Sequence, residues 1–171
     1  MEQLRSLPEQ YVSQIPALNV EGAKNILTAS LIAAQELRVS GFLVVFSSTR
    51  MQEASQAIGA SARPAHVNIA GDKAVTVLNM RRSTRRLAEW LVKDRPGTRP
   101  EDYGGQIQSL LAGGVAIFAD MELTQFVGAA AFSGGSPDQD EYICLRGVLG
   151  SGLYSDIPLI ESEARLNPKE S

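Results

Sequence analysis

The side chains best suited to chemistry in this sequence lie close together, between residues 63 and 73. His66 is the sole histidine of the chain, and histidine is the side chain that most readily exchanges protons near neutral pH. Lys73 follows it at a spacing of about 10 Å along a helix and on nearly the same side. Arg63 stands directly before that helix, whose N-terminus carries partial positive charge and attracts carboxylates. We therefore predict a ligand site around Arg63, His66 and Lys73.

Two interpretations of these side chains are open. In the functional one, His66 is an acid or base, a hydrogen-bond donor or the axial ligand of a metal, and Lys73 supplies a counter-charge. In the structural one, His66 is a partly buried residue at the start of a helix, and Lys73 extends its ammonium group from an apolar stripe into solvent. The pattern alone does not decide between them.

A second candidate site is the turn formed by Ser133, Gly134 and Gly135. Glycines let the backbone approach a ligand closely, and the helix that follows offers free N–H groups. Three acidic residues come next: Asp138, Asp140 and Glu141. They disfavour a phosphate and favour a tight strand-to-helix turn whose acids complement the helix dipole. The sequence here matches neither a P-loop nor a dinucleotide-binding fingerprint.

Other reactive side chains are scattered along the chain. Arg50 is a further candidate for anchoring a carboxylate, and Tyr142 and Ser133 are candidates for auxiliary hydrogen bonds. Cys144 is flanked by apolar residues, which is typical of a small buried hydrophobe more than of a nucleophile. Four arginines between residues 81 and 86 fit a solvated helix start or an ion-pair site between subunits.

The composition excludes several classes of function. One histidine and one cysteine cannot build a multi-histidine or four-cysteine metal site or an intramolecular disulfide in this 171-residue chain. We therefore predict no metal site, unless His66 binds the iron of a haem. A net charge of −3 argues against nucleic acid and anionic membranes as partners. No apolar run approaches the ~20 residues that span a bilayer, and the polar N-terminus lacks the features of a signal peptide. These observations predict a cytoplasmic protein.

The elements that must position these residues can be predicted from the apolar pattern. It divides the chain into an N-terminal arm (1–18), one domain (19–149) and a C-terminal arm (150–171). Helical spacing predicts helices between Asn19 and Gly41, over 64–78, from 83, over a short turn at 107–111, and from 136 to about 149. Strand-forming runs predict strands over 42–46, 115–119 and 123–132, and a loop occupies 94–105. Residues 47–63 fit either a second hairpin strand or a loop with a helical turn. This order predicts an α+β domain around an antiparallel sheet.

The segment 113–148 resembles the signature of the haem-degrading, GlcG/HbpS-like family, which includes the C-terminal domain of PduO-type proteins. The matching motifs are Gly-Gly-Val-Ala-Ile at 113–117, Val-Gly-Ala at 127–129, Ser-Gly-Gly at 133–135 and Gln-Asp at 139–140. The helix over 62–76 is similar to the family's central helix with its Lys-Ala-x-Thr core. The resemblance covers roughly residues 20–149. Residues 47–63, which border the expected pocket, depart from the family's pattern.

This resemblance implies a profilin-like fold with four or five antiparallel strands packed by helices. It also implies haem or a related tetrapyrrole as ligand, bound near Arg63, His66 and Lys73, and assembly into homo-oligomers. Trp90, Leu91 and the apolar patch at 157–160 are candidates for the subunit contact. The alternative function is a cofactor-independent lyase or isomerase acting on a small carboxylated or aromatic compound. There His66 would be the acid or base and an arginine would anchor the carboxylate.

Overall fold

The structure, a computed structural model, describes residues 17–169, so nearly all of the predicted N-terminal arm lies outside it. Five α-helices are found in this range: α1 (Val20–Leu37), α2 (Pro64–Met80), α3 (Thr84–Asp94), α4 (Pro137–Gly150) and α5 (Leu159–Leu166). The strands are β1 (Gly41–Ser47), β2 (Gln52–Ile58), β3 (Gly114–Phe118), β4 (Phe126–Ser133) and β5 (Tyr154–Ser155). All neighbouring strands are antiparallel, in the order β2-β1-β4-β3-β5. The predicted α+β fold is confirmed.

The sheet is covered by helices on both faces. Leu43 and Val45 of β1 pack in the main core with α1 and α4, whereas Val44 packs on the other face with Ala70 and Ala74 of α2. Successive strand residues point to opposite faces, so a strand covered on both sides must be apolar at consecutive positions. This explains the uninterrupted apolar run that predicted β1.

Residues 47–63, for which the sequence left two interpretations, form the second strand of a hairpin. Strand β2 pairs with β1 in a register that places Gly41 opposite Ile58. Arg50 lies in the turn of this hairpin with a φ of 66°. The exposed residues of β2 obscure its strand pattern, because β2 is the edge strand and faces solvent along much of its length.

Two local predictions differ from the structure. The described chain has no helix at 107–111; that segment is instead fixed to α2, since the hydroxyl of Thr76 accepts the N–H groups of Gln108 and Ser109. Strand β4 begins at Phe126, and not at residue 123. The carboxylate of Asp120 accepts the N–H groups of the residues before β4 and so folds them into a loop.

The predicted C-terminal arm folds back on the domain over its described part. Strand β5 pairs with β3, and Ile157 is 1% exposed in the main core. The carboxylate of Asp156 accepts hydrogen bonds from the backbone and the side chain of Ser83 at the start of α3. Sequence patterns concealed this packing because a two-residue strand has no detectable period and α5 is only eight residues long.

One buried carboxylate links α5 to the helices α3 and α4. Glu141 on α4 is 1% exposed and accepts hydrogen bonds of 2.7 Å from Arg85 Nε of α3 and from Arg165 Nη1 of α5. Three helices that are distant in sequence therefore share one buried negative charge. A carboxylate can remain ionised at such a position only because cationic hydrogen-bond donors replace its water.

The substitution Glu141→Gln tests this arrangement. It keeps the shape of the side chain but removes the charge between two guanidinium groups. We expect the free energy of unfolding to fall by about 2–3 kcal/mol, because the arginines lose the partner that compensates their partial burial. Urea denaturation measures the change. The control is Glu36→Gln, at an exposed position on α1, for which we expect a change within about 0.5 kcal/mol. Equal stabilities of the two variants would contradict this account.

Candidate functional site

A cleft of about 540 Å³ opens where the end of α1, the start of α2 and the turn between β4 and α4 meet. We call it the outer cleft; its lining includes Arg38, Ser61, Arg63, His66, Gly134 and Gln139. A pocket of about 240 Å³ adjoins it and shares His66, Gly134 and Gly135 with it. The lining of this adjoining pocket also includes Lys73, Ser133 and Asp140. The structure thus brings six of the predicted site residues around two neighbouring cavities.

His66 is held in place by the start of its own helix. Arg63 is the N-cap residue of α2, and its backbone N–H donates a hydrogen bond of 3.0 Å to Nδ1 of His66. His66 therefore occupies the capping-box position that glutamate or glutamine usually fills. A neutral imidazole carries one proton, so with Nδ1 as acceptor the proton lies on Nε2. The half-buried ring thus offers the cleft an N–H donor and no free lone pair.

The glycine turn is shaped by close packing against the chain that enters β1. Gly134 has a φ of 156°, and a Cβ at this position would lie 2.0 Å from the carbonyl oxygen of Ser40. The N–H of Gly135 donates a 2.7 Å hydrogen bond to the Asp140 carboxylate. The glycines of this turn therefore allow a close approach to the protein's own backbone. A contact between the turn and a ligand stays a prediction.

Lys73 is neither exposed nor a free counter-charge. It is 1% exposed, and its ammonium group donates 2.9 Å hydrogen bonds to Oδ2 of Asp140 and to the carbonyl oxygen of Phe132. Burial raises the pKa of the Asp140 carboxyl, and the neighbouring ammonium group of Lys73 offsets part of this rise. The pair fixes the end of β4 and the start of α4 against α2, so its role in the structure is to position the walls of the cavities.

Two of the predicted site residues lie elsewhere. Arg50 donates a 2.7 Å hydrogen bond to Asn79, near the opposite end of α2 from His66. Tyr142 lines a neighbouring groove between α1, α4 and α5, which shares Leu37 and Gln139 with the outer cleft and is also lined by Ile160. The hairpin turn carries Arg50 away from the cleft, and the helical phase of α4 turns Tyr142 towards α5. Neither side chain lines the outer cleft or the adjoining pocket.

Sequence reasoning missed Arg38, which lines the outer cleft directly after α1. It is the C-cap of that helix, with a left-handed φ of 56° and a backbone N–H bonded to the carbonyl oxygen of Ala34. Its basic side chain at a helix end is typical of a solvated surface residue, so its type gave no signal. The signal that could have identified it is its position, because glycine is the usual residue directly after the last turn of a helix.

Among the described residues, neither a metal-binding cluster nor a reactive thiol is found. Within residues 17–169, no three histidine, cysteine, aspartate or glutamate side chains are close enough to hold a metal ion. Cys144 is fully buried, and burial raises the pKa of its thiol. A thiol in that state is a poor nucleophile. No helix in this range combines the length and apolar character that crossing a membrane requires.

Comparison with known proteins adds a family and a fold. Residues 18–149 match the model of a family described as haem degrading protein HbpS-like. The fold is shared with a PduOC:heme complex, at 20% identity and a TM-score of 0.69, over 81% of this chain and 98% of that one. It is also shared with Klebsiella pneumoniae protein ORFY, at 20% identity and a TM-score of 0.67, over 81% of this chain and 93% of that one.

A third similar structure is a double mutant of Streptomyces reticuli HbpS. It is 24% identical to this chain, with a TM-score of 0.66, over 80% of this chain and 88% of that one. At such identities the similarity of all three structures concerns the fold. No curated protein matched the sequence.

A double-mutant cycle tests the positioning role of the Lys73–Asp140 pair. We expect Lys73→Met and Asp140→Asn each to lower the free energy of unfolding by about 3–5 kcal/mol, since each leaves a buried charge without its partner. The double variant buries no charge, so its loss should be smaller than the sum of the single losses by about 2 kcal/mol or more. Urea denaturation of the four proteins measures this coupling. Losses that simply add would show that the pair does not act as a unit.

Proposed function

The chain belongs to the haem-degrading, HbpS-like family, and from this membership we propose that it binds haem or a related tetrapyrrole in the outer cleft. The observation that carries the proposal is the position of His66, which presents an N–H donor to a cleft of about 540 Å³. That volume lies within the range of about 300–1,000 Å³ usual for small-molecule sites. The structural relative PduOC, whose crystal structure is that of a heme complex, supports the same ligand class.

The lining of the outer cleft is mainly polar, which suits the anionic edge of the ligand, and a few apolar side chains in it and in the adjoining pocket are available to the ring. Leu37 and Val39 lie on the outer cleft, and Ile69 and Leu111 lie on the adjoining pocket. These side chains can pack against a macrocycle, while Arg63 and the imidazole can contact carboxylates. Bound haem would supply a redox-active iron. The contribution of the chain is to bind the ligand and orient its edge.

His66 serves this function as a hydrogen-bond donor through Nε2. Iron ligation through Nε2 would require the ring proton on Nδ1, and the bond from the Arg63 N–H would then be lost. A donor role keeps the helix cap and the ligand contact together. The lyase or isomerase interpretation has no observation in its favour, since the acid and the base that share the adjoining pocket with His66, Asp140 and Lys73, are bonded to each other.

We also propose that the protein forms homo-oligomers. Of the predicted contact residues, Leu91 and Ile157 are buried in the subunit, and Trp90 is covered by Arg82 and Arg95. Ile160 remains 80% exposed at the groove between α1, α4 and α5. Ile160 shares this groove of about 610 Å³ with Leu37, Tyr142 and Leu166, and an apolar patch of this kind favours a subunit contact at this surface. The cytoplasmic location stays a prediction.

The role of His66 is tested by His66→Gln. Glutamine can accept the Arg63 N–H as a regular capping-box residue, so we expect the free energy of unfolding to change by less than about 0.5 kcal/mol. Loss of the imidazole should weaken the binding of ferric haem by about tenfold, the effect of one lost hydrogen bond to an ionised group. His66→Ala should weaken binding equally and lower stability by about 1 kcal/mol, because the cap acceptor is removed too.

Soret absorbance titrations and urea denaturation provide these measurements. If His66 is a donor, bound haem has the same spectral type in the parent protein and in the glutamine variant. A histidine-ligated spectrum that disappears in the variant would identify His66 as an axial ligand instead. Unchanged affinity in both variants would remove His66 from the binding site.

The proposed subunit contact is tested by Ile160→Glu. We expect light scattering to give the parent protein a mass above the 18.4 kDa of one chain, and this substitution to shift the mass towards the monomer. The matched control is Val92→Glu, since Val92 is 79% exposed on α3 and lies outside the groove. A parent protein that scatters as a monomer at micromolar concentration would overturn the proposal.

A further inference from the structure

We propose that Arg38 and Arg63 together form a carboxylate clamp, which makes the outer cleft selective for tetrapyrroles with free carboxylate groups. The inference rests on the proposed function and adds the chemical class of the ligand. Arg38 follows α1 and Arg63 precedes α2, and both line the same cleft. They are 25 residues apart in sequence, so it is the packing of α1 and α2 against opposite faces of the same sheet that brings the two residues to one cavity.

Among residues 17–169, no carboxylate side chain lines the outer cleft. Besides the two arginines, its polar members are Ser40, Ser61, Gln139 and His66, all of which are neutral or cationic. No residue of the described chain forms an ion pair with the guanidinium of Arg38 or Arg63. By contrast, Arg85 and Arg165 are each paired with carboxylates. The cleft therefore holds two uncompensated cations that an anionic ligand can neutralise.

The backbone of Arg38 is a second, independent observation. Its φ of 56° and ψ of 41° are left-handed, a conformation that costs a residue with a Cβ more than it costs glycine. Three other non-glycine residues of the described chain have a positive φ, and Arg38 is the one of the four that lines the outer cleft. Glycine at this position would form the same cap with less strain. Arginine at this position is therefore less favourable for the backbone than glycine, and the residue lines the cleft.

The chemistry of the two groups suits a dicarboxylate. A guanidinium group is planar and can donate two parallel hydrogen bonds to one carboxylate. Two such groups can bind the two carboxylates of haem, and the Nε2–H of His66 is a third donor nearby. An esterified tetrapyrrole of the same ring structure has no negative charge to offer. Discrimination between the free acid and the ester is thus the property that the clamp confers.

The substitution Arg38→Gly separates this role from folding. Glycine relieves the left-handed backbone, so the variant should unfold at the same or a slightly higher temperature than the parent. Its affinity for ferric haem should fall by about five- to tenfold, because a charge-assisted contact is lost. The loss should shrink at high ionic strength, where the exposed charges are screened. Affinity for haem dimethyl ester should be unchanged by the substitution.

The chain supplies a matched control in Arg81→Gly. Arg81 is the C-cap of α2 and has nearly the same left-handed backbone, with a φ of 52° and a ψ of 36°. It lies at the opposite end of α2 from the cleft, above the ring of Phe126. The control removes the same charge and relieves the same strain, so we expect haem affinity within about twofold of the parent. Arg38→Gly combined with Arg63→Ala should weaken binding further, by about the product of the single effects.

Absorbance titrations of the four proteins with haem and with its dimethyl ester decide between the outcomes. If the parent binds neither compound, the proposed function is wrong and the clamp falls with it. If the parent binds haem but Arg38→Gly binds it equally well, haem binding stands and the clamp is overturned. Equal losses of haem affinity in Arg38→Gly and Arg81→Gly would also overturn the clamp, because they would show that only the net charge of the protein affects binding. A loss confined to Arg38→Gly and to the free acid supports the clamp.

Discussion

The buried ion pair between Lys73 and Asp140 is the interaction around which the end of the sheet is organised. Lys73 belongs to the helix on one face of the sheet, and Asp140 opens the helix on the other face. Two buried charges cannot be left without partners, so the two helices must meet at the end of β4. The space between them is fully used: at Gly113 a Cβ would lie 2.8 Å from Nζ of Lys73 and 2.7 Å from Cβ of Asp140.

The geometry of the candidate site follows from this pair. The second oxygen of Asp140 holds the N–H of Gly135, so the charge that fixes the helices also fixes the turn on the cleft wall. The same helix that carries Lys73 begins at the cleft, and its cap engages Nδ1 of His66. Stability and binding thus use different atoms of neighbouring residues. The ammonium group of Lys73 and the carboxylate of Asp140 neutralise each other, and Nδ1 of His66 accepts the N–H at the helix cap. The groups that remain for a ligand in the cleft are N–H donors.

Most of the fold could be predicted because its signals are local. A helical or strand period can be recognised in a single sequence. Strand β1, for example, is apolar at the consecutive positions that two covered faces require. The partner of Lys73 could not be predicted, because Asp140 is 67 residues away and resembles an ordinary acid in the first turn of a helix. The position of Arg50 could not be predicted for a related reason. Only the register of the β1–β2 hairpin shows which end of α2 its turn approaches. Helix α5 was missed because it is only eight residues long and its charged partners, Arg86 and Glu141, lie on helices that the sequence does not show to be near it.

The charge distribution explains how an acidic chain can hold a cationic cleft. The net charge of −3 argues against extended polyanions, whose binding sums many contacts over a long surface. A single carboxylate responds instead to charges within a Debye length, about 8 Å at physiological ionic strength. Several acidic side chains that could repel a bound carboxylate already have cationic partners. Glu141 and Glu161 are bonded to arginines, and Asp140 is bonded to Lys73. Ion pairing elsewhere in the fold therefore leaves Arg38 and Arg63 to set the local potential of the cleft, and a small anion meets attraction there although the whole molecule is negative.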